Sequence, residues 1–471
     1  MLFHDGGGDR SQTVAALDRL IPRLRQRGYR FTTVSEAVGD ALGPVNQPAR
    51  AADVWRGRGL AWAIETADVT WWVLWGLLIA VGVLTLARAL MLFIFAVRHA
   101  RRRRSDGWSW GPPVSEAVTV VVPAYNERTT IGPAVRSLAL SAHRDVEVIV
   151  VDDASTDGTA EVVEALDLGN VRVVRVPPGG KATALNTGVA LSRNDLIVMV
   201  DADTVVEPDS IHRLVQTFAD PGVGAVAGNV KVGNRRGLLG KWQHIEYVIG
   251  FNLDRRLYDT FGCIPTIPGA LGAFRRQALA DAGGLTLDTI AEDTDLTMAI
   301  HRAGWRVVYE ETARAYTEAP ATLAQLWKQR YRWSYGTMQA IWKHRGAVRD
   351  PGPSGRFGRR ALPFITLFSV LLPLLAPLLD IMAVYGTFFL DQTATAIGWL
   401  GMLVVHVVTA IVAFRLDRER LRPLWTLPLQ QLVYRQVMYL VLLHSALTAL
   451  TGRRLRWQKL RRTGEVGVVH Q

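Results

Sequence analysis

An apolar run from Val69 to Val97, VTWWVLWGLLIAVGVLTLARALMLFIFAV, is broken only by Arg88 and limits what this chain can fold into more than any other feature. A helix of about 20 apolar residues already crosses a hydrocarbon core. The run therefore predicts a membrane span, with a buried soluble helix as the other fold it admits. Trp71, Trp72 and Trp75 mark one interface and Arg101 to Arg104 the other, since aromatic rings and cations gather at membrane boundaries. The positive-inside bias reads residues before 69 as extracytoplasmic and those after 97 as cytoplasmic. Membrane lipid is thus one partner, and a multi-pass protein of the cell (plasma) membrane is the expected localisation.

Apolar segments return at about 361–390, 396–414 and 425–450, which isolates a polar block between membrane anchors. Three returning spans would leave the basic RRLRWQKLRR stretch outside and four would leave it inside, so the count stays at three or four. The stretch 361–390, with Pro373, Pro377 and Asp380, is long enough for a bent or re-entrant pair. The expected division is 1–68 N-terminal segment and linker, 69–97 span, 98–335 cytoplasmic domain, 336–360 interfacial segment, 361–451 spans and 452–471 basic tail.

Charge and cysteine content narrow the function classes. Lys and Arg number 54 against 42 Asp and Glu, a formal +12, which alone would admit nucleic acid, an acidic substrate or an anionic membrane surface. The arginine run directly follows an apolar span, so the membrane accounts for it and nucleic acid is not expected as a partner. Cys263 is the only cysteine, which excludes an intrachain disulfide framework, a zinc-finger cluster and a Cys-x-x-Cys redox site.

Inside the polar block, AVTVVVPAYN, VEVIVVDDAS, VRVVRVP and DLIVMVDAD alternate with helical stretches. Continuous apolar strands spaced by helices predict an α/β fold with a mostly parallel sheet covered on both faces. Ligands of such sheets lie at the carboxyl ends of the strands. Pro123, Tyr125, Asn126 and Glu127 follow the first strand, Asp152 and Asp153 end the second, and Asp201 and Asp203 follow a later one. One such aspartate is usually a turn former or helix cap, whereas three acidic strand ends on one edge point to a site. No Gly-x-Gly-x-x-Gly follows the first strand and no Gly-Lys-Ser/Thr loop occurs, which excludes dinucleotide and P-loop readings.

The ordered set VVPAYNE, VDDASTDGT, GGKATALNTG and Asp201-Ala202-Asp203 resembles family 2 glycosyltransferases of the GT-A fold over roughly residues 115–335. Glu292-Asp293, within AEDTDLTMAIHRAGW, resembles the catalytic acidic pair of inverting members. Gln329-Arg330-Tyr331-Arg332-Trp333 fits the Gln-x-x-Arg-Trp signature of processive synthases that make cellulose, chitin, hyaluronan and poly-N-acetylglucosamine.

The resemblance implies an enzyme, a hexosyltransferase taking a UDP-sugar donor and a growing polysaccharide acceptor. A nucleotide-sugar leaves as a diphosphate whose charge grows as the glycosidic bond breaks, so the site needs a cation and donors aimed at the leaving group. Asp203 is the first candidate metal ligand, and by resemblance Asp201 sits beside the donor sugar or the metal. Carboxylate oxygens without His or Cys neighbours favour Mg²⁺ or Mn²⁺. By resemblance Asp153 binds the uridine portion, with Asp152 and Pro123 at the same edge, and Tyr125 and Glu127 line the uracil pocket. Tyr125 is otherwise a packed strand-end aromatic. Lys181, after Gly179 and Gly180, can supply charge to a phosphate that the glycines let approach, or can be a solvated turn lysine. Asp293, with Glu292, is the candidate base, although a helix start alone also accounts for acidic residues in a first turn.

Arg332 suits the diphosphate, and Trp333, with Gln329, suits the acceptor end, since an indole stacks on the apolar face of a pyranose. An interfacial helix also accounts for Trp327, Tyr331, Trp333 and Tyr335. Gly269, in TIPGALGAFRR, is read as shaping the acceptor pocket. Cys263 is read as a packing residue. Trp242, Ile245, Ile249, Leu253 and Leu257 follow helical spacing and are read as packing.

Residues 1–38 read as a strand end, a Gly turn, an amphipathic helix and a short strand, and LFHDGGGD with His4 resembles the last part of a NodB-like polysaccharide deacetylase. That family's metal-binding motifs precede this stretch and are absent, so a remnant is expected, not an active deacetylase. The fusion analogy prefers UDP-N-acetylglucosamine and an exported poly-N-acetylglucosamine, with a separate deacetylase or export component as a partner. A single-transfer glycosyltransferase with a lipid-phosphate acceptor and a non-catalytic nucleotide-sugar-binding subunit are the alternatives.

Overall fold

The computed structural model describes residues 11–39, 49–389, 392–451, 464 and 466. The chain divides into two compact units, Met1–Leu77 and Leu78–Gln471. In the first, Ser11–Gln26 is the expected helix, with no buried residue. The expected short strand after it does not form: Val34–Val38 make one helical turn, begun by Thr33, whose Oγ1 accepts the Glu36 N–H at 3.2 Å. A hydroxyl cap satisfies a helix start locally, whereas a lone strand would need a partner for its backbone. The strand end carrying His4 lies outside the described residues.

Helix Ala51–Arg103 contains the whole run 69–97 and extends beyond it at both ends. Gly352–Phe389, Gln392–Leu416 and Arg422–Thr451 are also long and apolar enough to cross a membrane, four helices in all among the described residues. The stretch around 361–390 is one continuous helical run with a π-helical turn at Thr366–Leu371. Its first part does not face lipid. Phe357, Ala361, Leu362 and Ile365 are buried in the same cluster as Val121 and Ile197 of the sheet.

The polar block folds around an eight-stranded sheet. Its strands are β1 (Val118–Ala124), β2 (Val146–Asp153), β3 (Val171–Val176), β4 (Leu196–Met199), β5 (Thr204–Val206), β6 (Val223–Val232), β7 (Gly272–Arg275) and β8 (Arg306–Thr317), in the order β3-β2-β1-β4-β7-β6-β8-β5. The first four are the four strands expected from the sequence, and they are parallel. β6 and β8 are also parallel, while β7 runs antiparallel to β4 and β6, and β5 to β8. This is an α/β GT-A-like domain with a mostly parallel sheet and long apolar helices on both sides of it in the sequence.

Side-chain alternation explains why the parallel strands read as continuous apolar runs. Val118, Val120 and Val122 of β1 enter one core with Ile131, Val135 and Leu138. Val121 enters the opposite core with Ala184 and Leu185 of helix Lys181–Leu191. Both faces are covered, so neither set is polar. Gly188 permits this packing: a Cβ there would lie 2.2 Å from Val121 Cγ1.

Trp242, Ile245, Leu253 and Leu257 are buried, as their spacing predicts. Cys263 is buried as well, and burial pushes its thiol up to about 12, so it packs and carries no thiolate. Arg256 binds Glu311 at 2.8 Å and Asp417 at 2.9 Å, and Lys231 binds Asp417 at 3.1 Å and Glu419 at 2.6 Å. These buried pairs clamp the end of helix Gln392–Leu416 to β6 and β8. The Gly464 N–H donates to Glu318 at 2.9 Å, and Val466 is buried against Gly233.

Candidate active site

Parallel register brings the polar strand ends to one edge. Ala124 pairs with Asp152, and Asp153 with Val176; Val121 pairs with Met199, just before Asp201 and Asp203. Pro123, Tyr125 and Glu127 lie at this edge, with Tyr125 exposed. Asn126 has φ 54° and Ala154 φ 59°, and the left-handed backbone folds the two loops onto each other. The Asn126 N–H donates to Ser155 Oγ at 2.8 Å, and Asn126 Oδ1 accepts from the Thr156 N–H at 2.7 Å. The Glu127 N–H donates to Thr159 Oγ1 at 2.7 Å.

Asp153 holds the glycine turn, accepting the N–H of Gly179 at 2.7 Å and of Gly180 at 2.9 Å. That turn starts helix Lys181–Leu191 and aims Lys181 back over the edge. Its Nζ lies 2.7 Å from Asp201 and 3.0 Å from Glu292. Lys181 is therefore not a solvated turn residue. Burial would lower its basicity, but the carboxylates of Asp201, Glu292 and Asp293 outweigh burial and hold it firmly protonated. Asp152 is buried, and its Oδ1 has no hydrogen-bond partner among the described residues.

Glu292 and Asp293 open helix Glu292–Arg302, as expected. Asp293 accepts the Thr294 N–H at 2.8 Å and the Gly269 N–H at 3.4 Å. Burial and the adjacent Glu292 charge push its carboxyl up to about 6, against the pull of Lys181. A carboxylate tuned near neutrality is suited to accept a proton from a hydroxyl. Gly269 sits where a side chain would intrude, since a Cβ would be 2.7 Å from Lys181 Nζ. The structure thus brings Lys181, Asp201, Gly269, Glu292 and Asp293 together from four separate stretches.

Asp203 is buried and accepts from Thr204 Oγ1 and Thr317 Oγ1, each at 3.2 Å. Among the described residues no three His, Cys, Asp or Glu side chains form a metal cage. The donor set instead fits Mg²⁺ or Mn²⁺ held by one or two carboxylates and completed by substrate phosphate oxygens. The surplus of Asp201, Glu292 and Asp293 over the single Lys181 ammonium also favours a cation.

Gln329, Arg332 and Trp333 lie on helix Leu323–Lys343, which abuts the start of the Glu292 helix. A Cβ on Gly336 would lie 2.5 Å from Ala291 Cβ, and the Ile290 N–H donates to Gln339 at 3.2 Å. Gln329 is buried and bonded to Arg330. Trp333 packs edge-on against Phe251 at 5.7 Å, and the Arg330 guanidinium lies 4.3 Å from its ring centroid.

Sequence reasoning missed the support beneath this motif. Arg330 is buried and binds both Glu246 oxygens, at 3.1 and 2.5 Å, and the Tyr434 hydroxyl donates to the same carboxylate at 2.6 Å. Glu246 lies in a helix read for its apolar stripe, so only its interruption of that stripe signalled a role.

Residues 112–336 match the model of the family described as "Glycosyltransferase like family 2". Poly-beta-1,6-N-acetyl-D-glucosamine synthase of Staphylococcus aureus is 34% identical over 229 residues, 48% of this chain and 56% of the relative. The Staphylococcus epidermidis enzyme of the same name is 33% identical over 229 residues. The chain spans about half the length of these curated relatives. A mannosyltransferase from Pyrobaculum calidifontis, solved with GDP-mannose and Mn²⁺, superposes with a TM-score of 0.57 at 24% identity, covering 80% of this chain and 100% of that one. That likeness is one of fold.

Proposed function

Residues 112–336 being a family 2 glycosyltransferase domain, we propose that the chain is a membrane-embedded inverting synthase. It elongates a polysaccharide from a UDP-sugar, preferentially UDP-N-acetylglucosamine, and passes the product outward through its own spans. The observation that carries this reading is the cluster of Lys181, Asp201, Glu292 and Asp293, set directly against the Gln329-Arg332-Trp333 helix. The names of the staphylococcal relatives support the choice of sugar.

In the proposed reaction Asp293 accepts the proton of the acceptor hydroxyl as its oxygen bonds to the anomeric carbon. The bond from that carbon to the diphosphate oxygen breaks on the opposite face, so the configuration inverts. Lys181 and Arg332 bind the departing diphosphate. Asp203 and Asp201 would hold a divalent cation, which would add to the compensation of that charge. Asp152, Asp153, Tyr125, Glu127 and Pro123 form the uridine side, and Gly269, Gln329 and Trp333 the acceptor side.

The orientation we propose keeps the polar block cytoplasmic and the N-terminus extracytoplasmic. Asp417 contacts Lys231 at one end of the third apolar helix, and Gly464 contacts Glu318. These contacts support a reading in which an even number of crossings separates the block from residues 464 and 466. The last helix remains beside the block, where Thr426 accepts from Trp242 at 3.3 Å and Thr448 meets Tyr331 at 2.7 Å. A screen of radiolabelled UDP-sugars with membranes containing the chain, followed by glycosidase digestion of the product, tests the donor. Incorporation from UDP-N-acetylglucosamine supports the reading, and incorporation only from another sugar refutes it.

A further inference from the structure

The end of the first long apolar helix presents two different faces. Turned inward, His99 lies 2.8 Å from Asp259, Arg103 reaches the same carboxylate at 3.3 Å, and Arg104 binds Glu311 at 2.8 Å. Arg98, Arg101 and Arg102 point the other way. Spaced three and four residues apart, they share one helical face, are exposed, and form no ion pair among the described residues.

That face continues into an aliphatic groove. Leu86, Leu90 and Phe93 oppose Val404, Val408 and Val412 of helix Gln392–Leu416 across a cavity of about 270 Å³. Phe93 also borders an open surface of the same helix that carries Ile94, Val97, Arg98, Arg101 and Arg102. The apolar slot thus meets, at Phe93, a surface bearing three guanidinium groups that form no ion pair among the described residues.

We propose that this surface binds one anionic phospholipid, with an acyl chain between the two helices and the phosphate on Arg98, Arg101 and Arg102. Guanidinium forks suit phosphate oxygens, and a basic juxtamembrane face attracts anionic headgroups. The positive-inside tendency alone requires charge but no groove, and a groove alone would accept any hydrocarbon. Their continuity through Phe93 selects a molecule with both parts. A second copy of the chain is a poor occupant, because it would bring a like-charged rim to three exposed arginines.

The test is equilibrium binding of radiolabelled phosphatidylglycerol to the full chain in mixed micelles, with phosphatidylcholine and inorganic phosphate as competitors. Saturable binding of one lipid per chain is expected, displaced by neither competitor. Replacing all three arginines by Gln should weaken it on the order of 100-fold, roughly fivefold per arginine. Ala89→Phe keeps every charge but fills the slot, since Ala89 lines it, and should weaken binding at least tenfold with an unchanged unfolding midpoint. Unsaturable binding, displacement by phosphatidylcholine or by free phosphate, wild-type affinity in Ala89→Phe, or a doubled particle mass in place of lipid binding would each overturn the proposal. Binding is read without glycosyl transfer, so the proposed catalytic activity can fail while this site stands.

Discussion

Replacing Lys181 by Met removes the one ammonium that lies 2.7 Å from Asp201 and 3.0 Å from Glu292. The chain length is kept and only the charge is lost. Asp293 is already raised to about 6 by burial and by Glu292, with Lys181 opposing the rise. Loss of a neighbouring opposite charge moves a carboxyl by about 1–3 pH units, and taking the lower part of that range puts Asp293 at roughly pH 7–8. A base must be ionised to work, so activity is lost as pH falls through its pKa, and raising that pKa moves the acidic limb toward higher pH. In wild-type enzyme, kcat/KM for UDP release should fall below about pH 6. In Lys181→Met the fall should begin more than one pH unit higher, with part of the lost activity recovered in alkaline buffer. A Lys181→Met profile parallel to wild type, lowered by one factor at every pH, would mean that Lys181 only binds diphosphate and does not tune Asp293.

Asp203→Ala should abolish the Mn²⁺ dependence of UDP binding in calorimetry; unchanged metal dependence would remove Asp203 as a ligand. Gly336→Ala forces a Cβ to 2.5 Å from Ala291 Cβ, and should cost about 1–3 kcal/mol of stability, read as a lowered unfolding midpoint. No change there would show that the helix docks more loosely than described. Trp333→Ala should shorten the polymer while leaving UDP binding intact; normal-length product would return Trp333 to a packing role against Phe251.

The parallel half of the sheet was legible because burial on both faces turns β1, β4 and the body of β2 into apolar runs followed by polar clusters, while the edge strand β3 keeps its valines but exposes Arg172 and Arg175. The rest was not, for reasons visible in particular residues. β5 has only Thr204–Val206, and β7 only Gly272–Arg275, too few residues for a period to declare itself. Apolarity alone cannot separate Phe357 and Ala361, which fill the domain core, from the exposed apolar residues such as Leu371, Leu378 and Ile381 that follow them in the same helical run. Glu246 and Arg330 meet across 84 positions, a pairing that no local pattern encodes. Lys181, by contrast, was suggested by the glycines before it. What the sequence left open was its partners, since Glu292 arrives from a distant helix.

Product analysis on the purified full chain bears on polymer synthesis and on Asp293 as its base in a single experiment. Wild-type protein and Asp293→Asn would be incubated with radiolabelled UDP-N-acetylglucosamine and Mn²⁺, with released UDP and product size measured together. Wild type should give high-mass polymer, and Asp293→Asn should retain UDP binding with turnover lowered by about 10²–10⁴. Label confined to a single-sugar lipid product, or an Asp293→Asn enzyme keeping more than about half of wild-type turnover where base removal costs at least 10², would contradict this reading.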